Sequence, residues 1–371
     1  MSVNTHISTR IDTIRTFADE VRRSIFALVR DLATDELVAG AVGFLAVVAF
    51  GFTFVFAAEL AVFPAIVFAA VAIYGWIRNQ AVTAHALTFL ATVSTVLILG
   101  LITVYLLLKA IPTFRLMGTQ ILWKSPPFWD SGSDVYSLAP MMWGTLVTTV
   151  IATLVAGPLG IAGAIFVAEI APDRVRDVIK PAIEMLAGIP SIVYGYLGFN
   201  LVNPAMMDYL DVSSLGSLFA VGIVIGVMAL PTVVSVAEDA ITSVPEDMQD
   251  GALALGTTDW QTIKSVVVPA SFSGITAAVL LGVGRAIGET MAATVMLGQN
   301  HVLPEPFYNV FGNTETLTTL IASQYGNAIG DNSLMSALFA AGVVLFLTVM
   351  ALSIASRVVE ARMRAKLGGS L

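Results

Sequence analysis

One stretch of the chain places charge where apolar residues dominate: Gly282-Val283-Gly284-Arg285-Ala286-Ile287-Gly288-Glu289-Thr290-Met291. Placing an arginine in the middle of a membrane span costs about 2.5–3.5 kcal/mol on insertion scales, and a glutamate there is also unfavourable, so such residues face a polar pathway or one another. Arg285 and Glu289 are four residues apart, so on a helix they share a face and reach each other. Two chemistries fit. One is a structural ion pair that fixes helix packing. The other is an anion path in which the planar guanidinium fork holds two oxyanion oxygens at once, while Glu289 holds Arg285 in the anion's absence. Arg285, Glu289 and Thr290 are therefore the candidate pathway residues. Gly284 and Gly288 add a GxxxG step that admits a neighbouring backbone. Their three-residue spacing, with no strand before them, does not match a dinucleotide fingerprint.

A second segment, Pro245 to Pro269, is too polar to cross a bilayer and reads PEDMQDGALALGTTDWQTIKSVVVP. Asp247 and Asp250 fall in the first turns of a helix, where negative charge suits the helix dipole. Ala252, Leu253 and Leu255 give that helix a short apolar face, and Gly256 can end it in a left-handed turn. A second short helix over Trp260 to Val268 is expected to stop before Pro269. A helix, turn and helix of this kind suits docking into a groove on another protein.

Enzymatic chemistry finds no support. The chain contains no Gly-Lys dipeptide, so the P-loop is absent and ATP must be handled by a partner. No cysteine is present, and His6, His85 and His301 are too scattered to form a metal site. No catalytic residue, metal or cofactor is expected, and nothing points to nucleic acid.

The elements that must position these residues follow from hydropathy. Hydrophobic residues make up 57% of the chain and charged ones 12%, with a mean hydropathy of +0.87, against about 25% charged in soluble proteins. Each helical span needs roughly 20 apolar residues. Such runs occur at about 37–57, 60–77, 85–110, 139–169, 178–200, 214–238, 271–299 and 334–356, which predicts an all-α polytopic membrane protein of about eight transmembrane helices. Pro158, with Gly157, Gly160 and Gly163, is expected to bend the fourth.

Basic residues near the ends of spans stay preferentially in the cytoplasm. With the N-terminus inside, fourteen of the eighteen Lys and Arg residues lie in cytoplasmic segments, and only Lys109, Arg115 and Lys124 lie outside. Both termini are then cytoplasmic, and the loops 111–138 and 300–333 face outward. Residues 1–36 lack an apolar core at their start, so no cleavable leader is expected. Ile11 to Leu32 carries apolar residues at helical spacing, fitting an amphipathic helix on the inner membrane face or one packed on cytoplasmic loops.

Asp250-Gly251-Ala252, three residues, Gly256, nine residues, then Val266-Val267-Val268-Pro269 resembles the EAA motif of binding-protein-dependent ABC importer permeases. Asp and Gly stand where that family has Glu and Ala, and Val268 where it has Leu. The resemblance implies that the loop 246–269 couples to a separate ATPase, with Asp250, Gly251, Ala252, Gly256 and Pro269 as its motif residues. Arg-x-x-Gly-Glu-Thr-Met resembles the PstA/PstC permease family of phosphate importers. So do Gly144 to Thr149 with Pro158-Leu159-Gly160 and Ala168-Glu169, Gly188 to Gly195, and the outer-loop stretch Thr319 to Ala322.

The resemblance covers about residues 85–365. It implies a six-helix type I importer permease core preceded by an added hairpin at 37–77 and a cytoplasmic segment at 1–36. Its implied partners are the lipid bilayer, a second permease subunit (PstA-like), a dimer of ATP-binding subunits (PstB-like) and an external phosphate-binding protein (PstS-like). The location implied is the cell membrane. Phosphonate, molybdate or sulfate are the alternative cargoes. A secondary transporter would instead show an inverted repeat, and none is evident.

Overall fold

A computed structural model describes residues 34–124, 126–210, 212 and 216–366. The predicted amphipathic stretch Ile11 to Leu32 lies outside the described residues. The described chain is almost entirely helical, the one sheet among its residues being a two-stranded ribbon, β1 (Trp129–Asp130) and β2 (Val135–Tyr136), paired antiparallel with Trp129 opposite Tyr136. Among the described residues, seven helices are long and apolar enough to cross a membrane, and one bent pair would make an eighth.

The chain divides into two compact units, Met1–Ile102 and Thr103–Leu371, and the boundary falls inside a long helix. In the first unit, α1 (Thr34–Phe56) and α2 (Val62–Arg78) form a hairpin joined through a 3-10 turn at Ala58–Leu60. Phe44, Phe52, Phe63 and Ile77 stand exposed on it, as lipid-facing side chains do when no aqueous phase penalises them. The long helix α3 (Gln80–Met117) follows with Pro112 in its interior.

The second unit is built around α8 (Leu218–Thr242), whose residues are apolar on nearly every side and mostly buried, the pattern of a helix enclosed by others. Packed along it are α4 (Ala139–Ile165), which runs on as a π turn through Ile170, and α11 (Val268–Gly288). Gly222 and Gly226 of α8 meet Ile151 and Val155 of α4 so closely that an added methyl would lie 2.6 and 2.7 Å from them. Between α4 and α8 come α5 (Asp173–Ala187), α6 (Ser191–Leu197) and α7 (Asn203–Leu210). After α8 come α9 (Glu246–Ala254) and α10 (Asp259–Thr262), then α11, α12 (Met291–Met296), α13 (Leu317–Gln324) and α14 (Asn332–Lys366).

Contacts at the two ends of this unit fix the directions of α4 and α8. At the ribbon end, Leu138 N–H donates to Ile121 O, Leu218 N–H to Gly312 O, and the Ser336 hydroxyl to Lys109 O. At the opposite end, Lys180 of α5 bonds Glu238 near the end of α8. So α4 leaves the ribbon end and α8 starts there again, which requires the segment between them to return.

That segment is where the structure departs from the predicted straight span at 178–200. Asp173–Ala187 and Ser191–Leu210 meet at 91° across Gly188-Ile189-Pro190. Pro190 has no N–H to continue a helix and disfavours α geometry in Ile189. The first arm is polar on one face, with Arg174, Asp177 and Glu184, and the second is mostly apolar, with Asp208 its one charged residue.

Candidate transport site and coupling loop

The predicted pathway residues sit at a break between two helices. α11 ends at Gly288, Glu289 adopts an extended backbone (φ −67°, ψ 124°), and α12 begins at Met291. Glu289 therefore leaves the face that carries Arg285, and the expected i,i+4 pair does not form. The Glu289 carboxylate instead accepts the backbone N–H of Ala292 at 3.0 Å and caps the first turn of α12. Arg285, half-buried in the last turn of α11, donates from Nη1 to the Thr232 hydroxyl of α8 at 2.8 Å.

The break leaves backbone groups that a helix would have satisfied internally, and in lipid each one left open costs several kcal/mol. Local hydroxyls meet them. The Thr290 side chain donates to Gly288 O at 3.2 Å. The Glu289 carbonyl accepts from Thr318 Oγ1 at 2.8 Å. Thr318 belongs to α13, whose start is tied to α4: Leu317 N–H donates to the buried Thr145 hydroxyl at 2.9 Å. Thr232, Thr318 and Thr145 carry no signal in hydropathy, and their contacts lie 53, 29 and 172 residues away in the chain.

The predicted GxxxG contact is also absent within this chain. An added methyl at Gly284 or Gly288 would meet nothing within 4 Å. This face of α11 is open, with Leu281 exposed beside it. On a different face, Leu280, Val283 and Ile287 line a groove of about 990 Å³ together with Thr145, Thr149 and Thr153 of α4 and residues of α14.

The segment between α8 and α11 forms the helix, turn and helix predicted for it. α9 carries Glu246 and Asp247 in its first turn. Gly256 turns the chain at φ +88°, a value favoured by glycine. Thr258 and Gln261 make a reciprocal capping box at the start of α10. One expectation fails: no helix ends before Pro269. The chain passes through a π turn at Ile263–Val267 directly into α11, and Pro269 sits in the first turn of that helix, where its missing N–H is tolerated. Asp250 and Gly251 are exposed and Ala252 is half-buried. Leu255 is 88% and Trp260 61% exposed, so the loop's apolar side chains have little to cover them in this chain.

A helix break met by polar side chains, with a capped polar loop before it, thus lies among helices long and apolar enough to cross a membrane. Residues 158–365 match the family described as the binding-protein-dependent transport system inner membrane component, and the chain belongs to that family. It is 39% identical over 247 residues to a probable ABC transporter permease protein, YqgH of Bacillus subtilis, covering 66% of this chain and 79% of that one. It is 33% identical to the phosphate transport system permease protein PstC of Pasteurella multocida, covering 71% and 89%. Its identity to the probable phosphate transport system permease protein PstC of Methanocaldococcus jannaschii is 32%, covering 70% and 85%. A chain in the crystal structure of a bacterial alginate ABC transporter superposes with a TM-score of 0.54 at 15% identity, covering 77% of this chain and 98% of that one, a likeness of fold.

Proposed function

We propose that this chain is the permease subunit of an ATP-driven phosphate importer and forms one half of its translocation pathway. The observation that carries the cargo is the half-buried Arg285 guanidinium at a helix break, in a chain whose relatives bear the name of phosphate permeases. Thr232 takes one of the five guanidinium N–H donors, which leaves the fork able to meet phosphate oxygens as they arrive. Glu289 supplies a nearby negative charge that keeps the anion from being trapped, and Thr290 contributes a hydroxyl. An external binding protein delivers phosphate to the loops 111–138 and 300–333 at the ribbon end.

The opposite end faces the cytoplasm, with Arg174, Arg176, Lys180 and Lys264 concentrated there, as basic residues are on inner loops. The bent segment counts as a crossing because α4 and α8 start at the same end, so the spans number eight and both termini are cytoplasmic. The exposed apolar side chains of α9 and α10 dock into a dimer of ATP-binding subunits, through Asp250, Gly251, Ala252 and Gly256, with Pro269 starting the span behind them. The open Gly284 and Gly288 face receives a second permease subunit. The hairpin 37–77 and residues 1–36 precede this 85–365 permease domain as additions.

Uptake of radiolabelled phosphate by an Arg285→Ala variant that still assembles tests the proposal. Uptake is expected to fall to background, and undiminished uptake refutes the role of Arg285. Copurification tests the class: an ATPase and a second permease are expected with the tagged chain.

A further inference from the structure

The first unit holds a cavity that the transport site does not use. It measures about 360 Å³ and is walled by α1, α2 and the first turns of α3, a size within the roughly 300–1,000 Å³ of small-molecule sites. Phe68, Val71, Ala72, Gly75 and Arg78 turn α2 toward it at spacings of three and four residues, which is one helix face. α1 approaches α2 at Gly43, where an added methyl would lie 3.2 Å from Val71. α3 approaches it at Thr83, whose hydroxyl would lie 2.6 Å from a methyl on Gly75. The turn between α2 and α3 is tied as well: Asn79 N–H donates to Gly75 O at 2.8 Å, and Thr83 Oγ1 donates to Asn79 O at 3.0 Å. The walls are thus positioned by the chain's own contacts.

Polarity is confined to one end of the cavity. Its lining carries one positive charge, Arg78, and no negative one, and its other polar side chains, Tyr74, Asn79 and Thr83, all lie within five residues of Arg78. From Arg78 the cavity runs along α2 to Phe68, ten residues or about 15 Å of helix, and along α3 from Val82 to Val93, about 16 Å. The hydrocarbon core of a bilayer is about 30 Å thick, so the cavity is one leaflet deep. Tyr74 and Trp76, exposed beside its polar end, belong to the residue types that gather at the headgroup level.

We infer that this cavity binds an anionic phospholipid, one acyl chain lying along the face of α2 and the phosphodiester meeting Arg78. The planar guanidinium fork suits two phosphate oxygens, and the apolar walls receive the chain away from water. The net positive lining selects a lipid of net negative charge. In the orientation proposed above, Arg78 lies at the cytoplasmic side and the lipid belongs to the inner leaflet; the inference rests on that orientation for the choice of leaflet alone. Bound there, the lipid fills the space between α1 and α3 and completes the packing of a hairpin whose own side chains bury little of one another.

The test uses the full chain with the subunits that copurify with it, in mild detergent with equal amounts of phosphatidylglycerol and phosphatidylcholine of the same acyl chains. Native mass spectrometry counts the lipids retained. The parent is expected to retain phosphatidylglycerol about fivefold over phosphatidylcholine, the preference that one basic residue confers at an anionic surface. Arg78→Gln is expected to equalise the two lipids, and Arg78→Lys to keep phosphatidylglycerol ahead. Gly40 lines the cavity, and an added methyl there meets nothing within 4 Å. Gly40→Leu is therefore expected to displace one retained phosphatidylglycerol per chain at an unchanged melting temperature. A parent that retains no phosphatidylglycerol, as when another protein helix fills the cavity, overturns the inference, and so does equal retention of the two lipids. A preference that survives Arg78→Gln, or a count unchanged by Gly40→Leu, places the lipid elsewhere and overturns it too. If Arg78→Gln fails to assemble, the Gly40→Leu count decides.

Discussion

Glu289 has two roles in the proposed mechanism that a pair of substitutions separates. Its carboxylate caps α12 through Ala292 N–H at 3.0 Å, and its charge stands beside the anion path. Glu289→Gln keeps an acceptor oxygen for the cap and removes the charge. Glu289→Ala removes both. Loss of an acceptor at a helix start costs about 0.5–2 kcal/mol, and the charge component near a helix start adds about 0.3–1 kcal/mol. The glutamine variant is therefore expected to lose only the charge component, about 0.3–1 kcal/mol of stability, and the alanine variant the acceptor as well, about 0.5–2 kcal/mol more, so that it melts lower. If the charge tunes release of phosphate from Arg285, the glutamine variant loses uptake by about tenfold, which corresponds to about 1.4 kcal/mol of lost transition-state stabilisation. Thermal melting of the purified complex and initial rates of radiolabelled phosphate uptake in vesicles provide the two readouts. Full uptake by Glu289→Gln refutes the pathway role and leaves Glu289 as a helix cap. Equal melting of the two variants refutes the cap.

Two other positions test the scaffold. An added methyl at Gly195 of α6 would lie 2.7 Å from Ala292 Cα and 2.9 Å from its carbonyl oxygen. Gly195→Ala is thus expected to push α6 from α12 at a cost of about 1–3 kcal/mol, seen as a lower melting temperature and reduced uptake together. Gly256 turns at φ +88° with open space around it, so Gly256→Val meets backbone strain of about 1–2 kcal/mol without any clash. It is expected to misdirect α10 and lower the ATPase copurified per permease, with little change in the permease's own melting.

The sequence shows the loop at 246–269 well because its signals are local. Gly256, the Thr258 and Gln261 box, and acidic residues at the start of α9 each act within a few residues. Charge and hydropathy likewise locate Arg285 and the spans. What they miss has a common cause. A hydropathy window averages over Gly188-Ile189-Pro190 and over Gly288-Glu289-Thr290, so a straight span and two arms joined by a break look alike. Helical spacing then puts Glu289 beside Arg285, although one extended residue is enough to part them. The partners that replace the expected pair, Thr232 and Ala292, depend on how α8 packs and on where α12 starts. Pro269 misleads for the opposite reason: proline breaks a helix in its interior, but in a first turn preceded by a π turn it passes unnoticed.

The two breaks are linked, and this bears on why the site lies where it does. α6 begins after the first break and α12 after the second, and they pack against each other with Gly195 on the Ala292 backbone. Ala292 is also the residue whose N–H Glu289 caps. Glu289, in turn, is held by its carbonyl to Thr318, in the helix that Leu317 ties to α4. A shift of α6 relative to α4 therefore strains the Glu289 turn from both sides. α5 ends at the first break and α6 begins after it, so α6 joins the first break to the second. Arg285 is bonded to α8 through Thr232, whereas Glu289 caps α12. On this geometry, the distance between the cation and the carboxylate depends on where α12 sits against α8. In the proposed importer, a shift of α12 would thus change the hold on an anion while the Thr232 bond keeps Arg285 on α8.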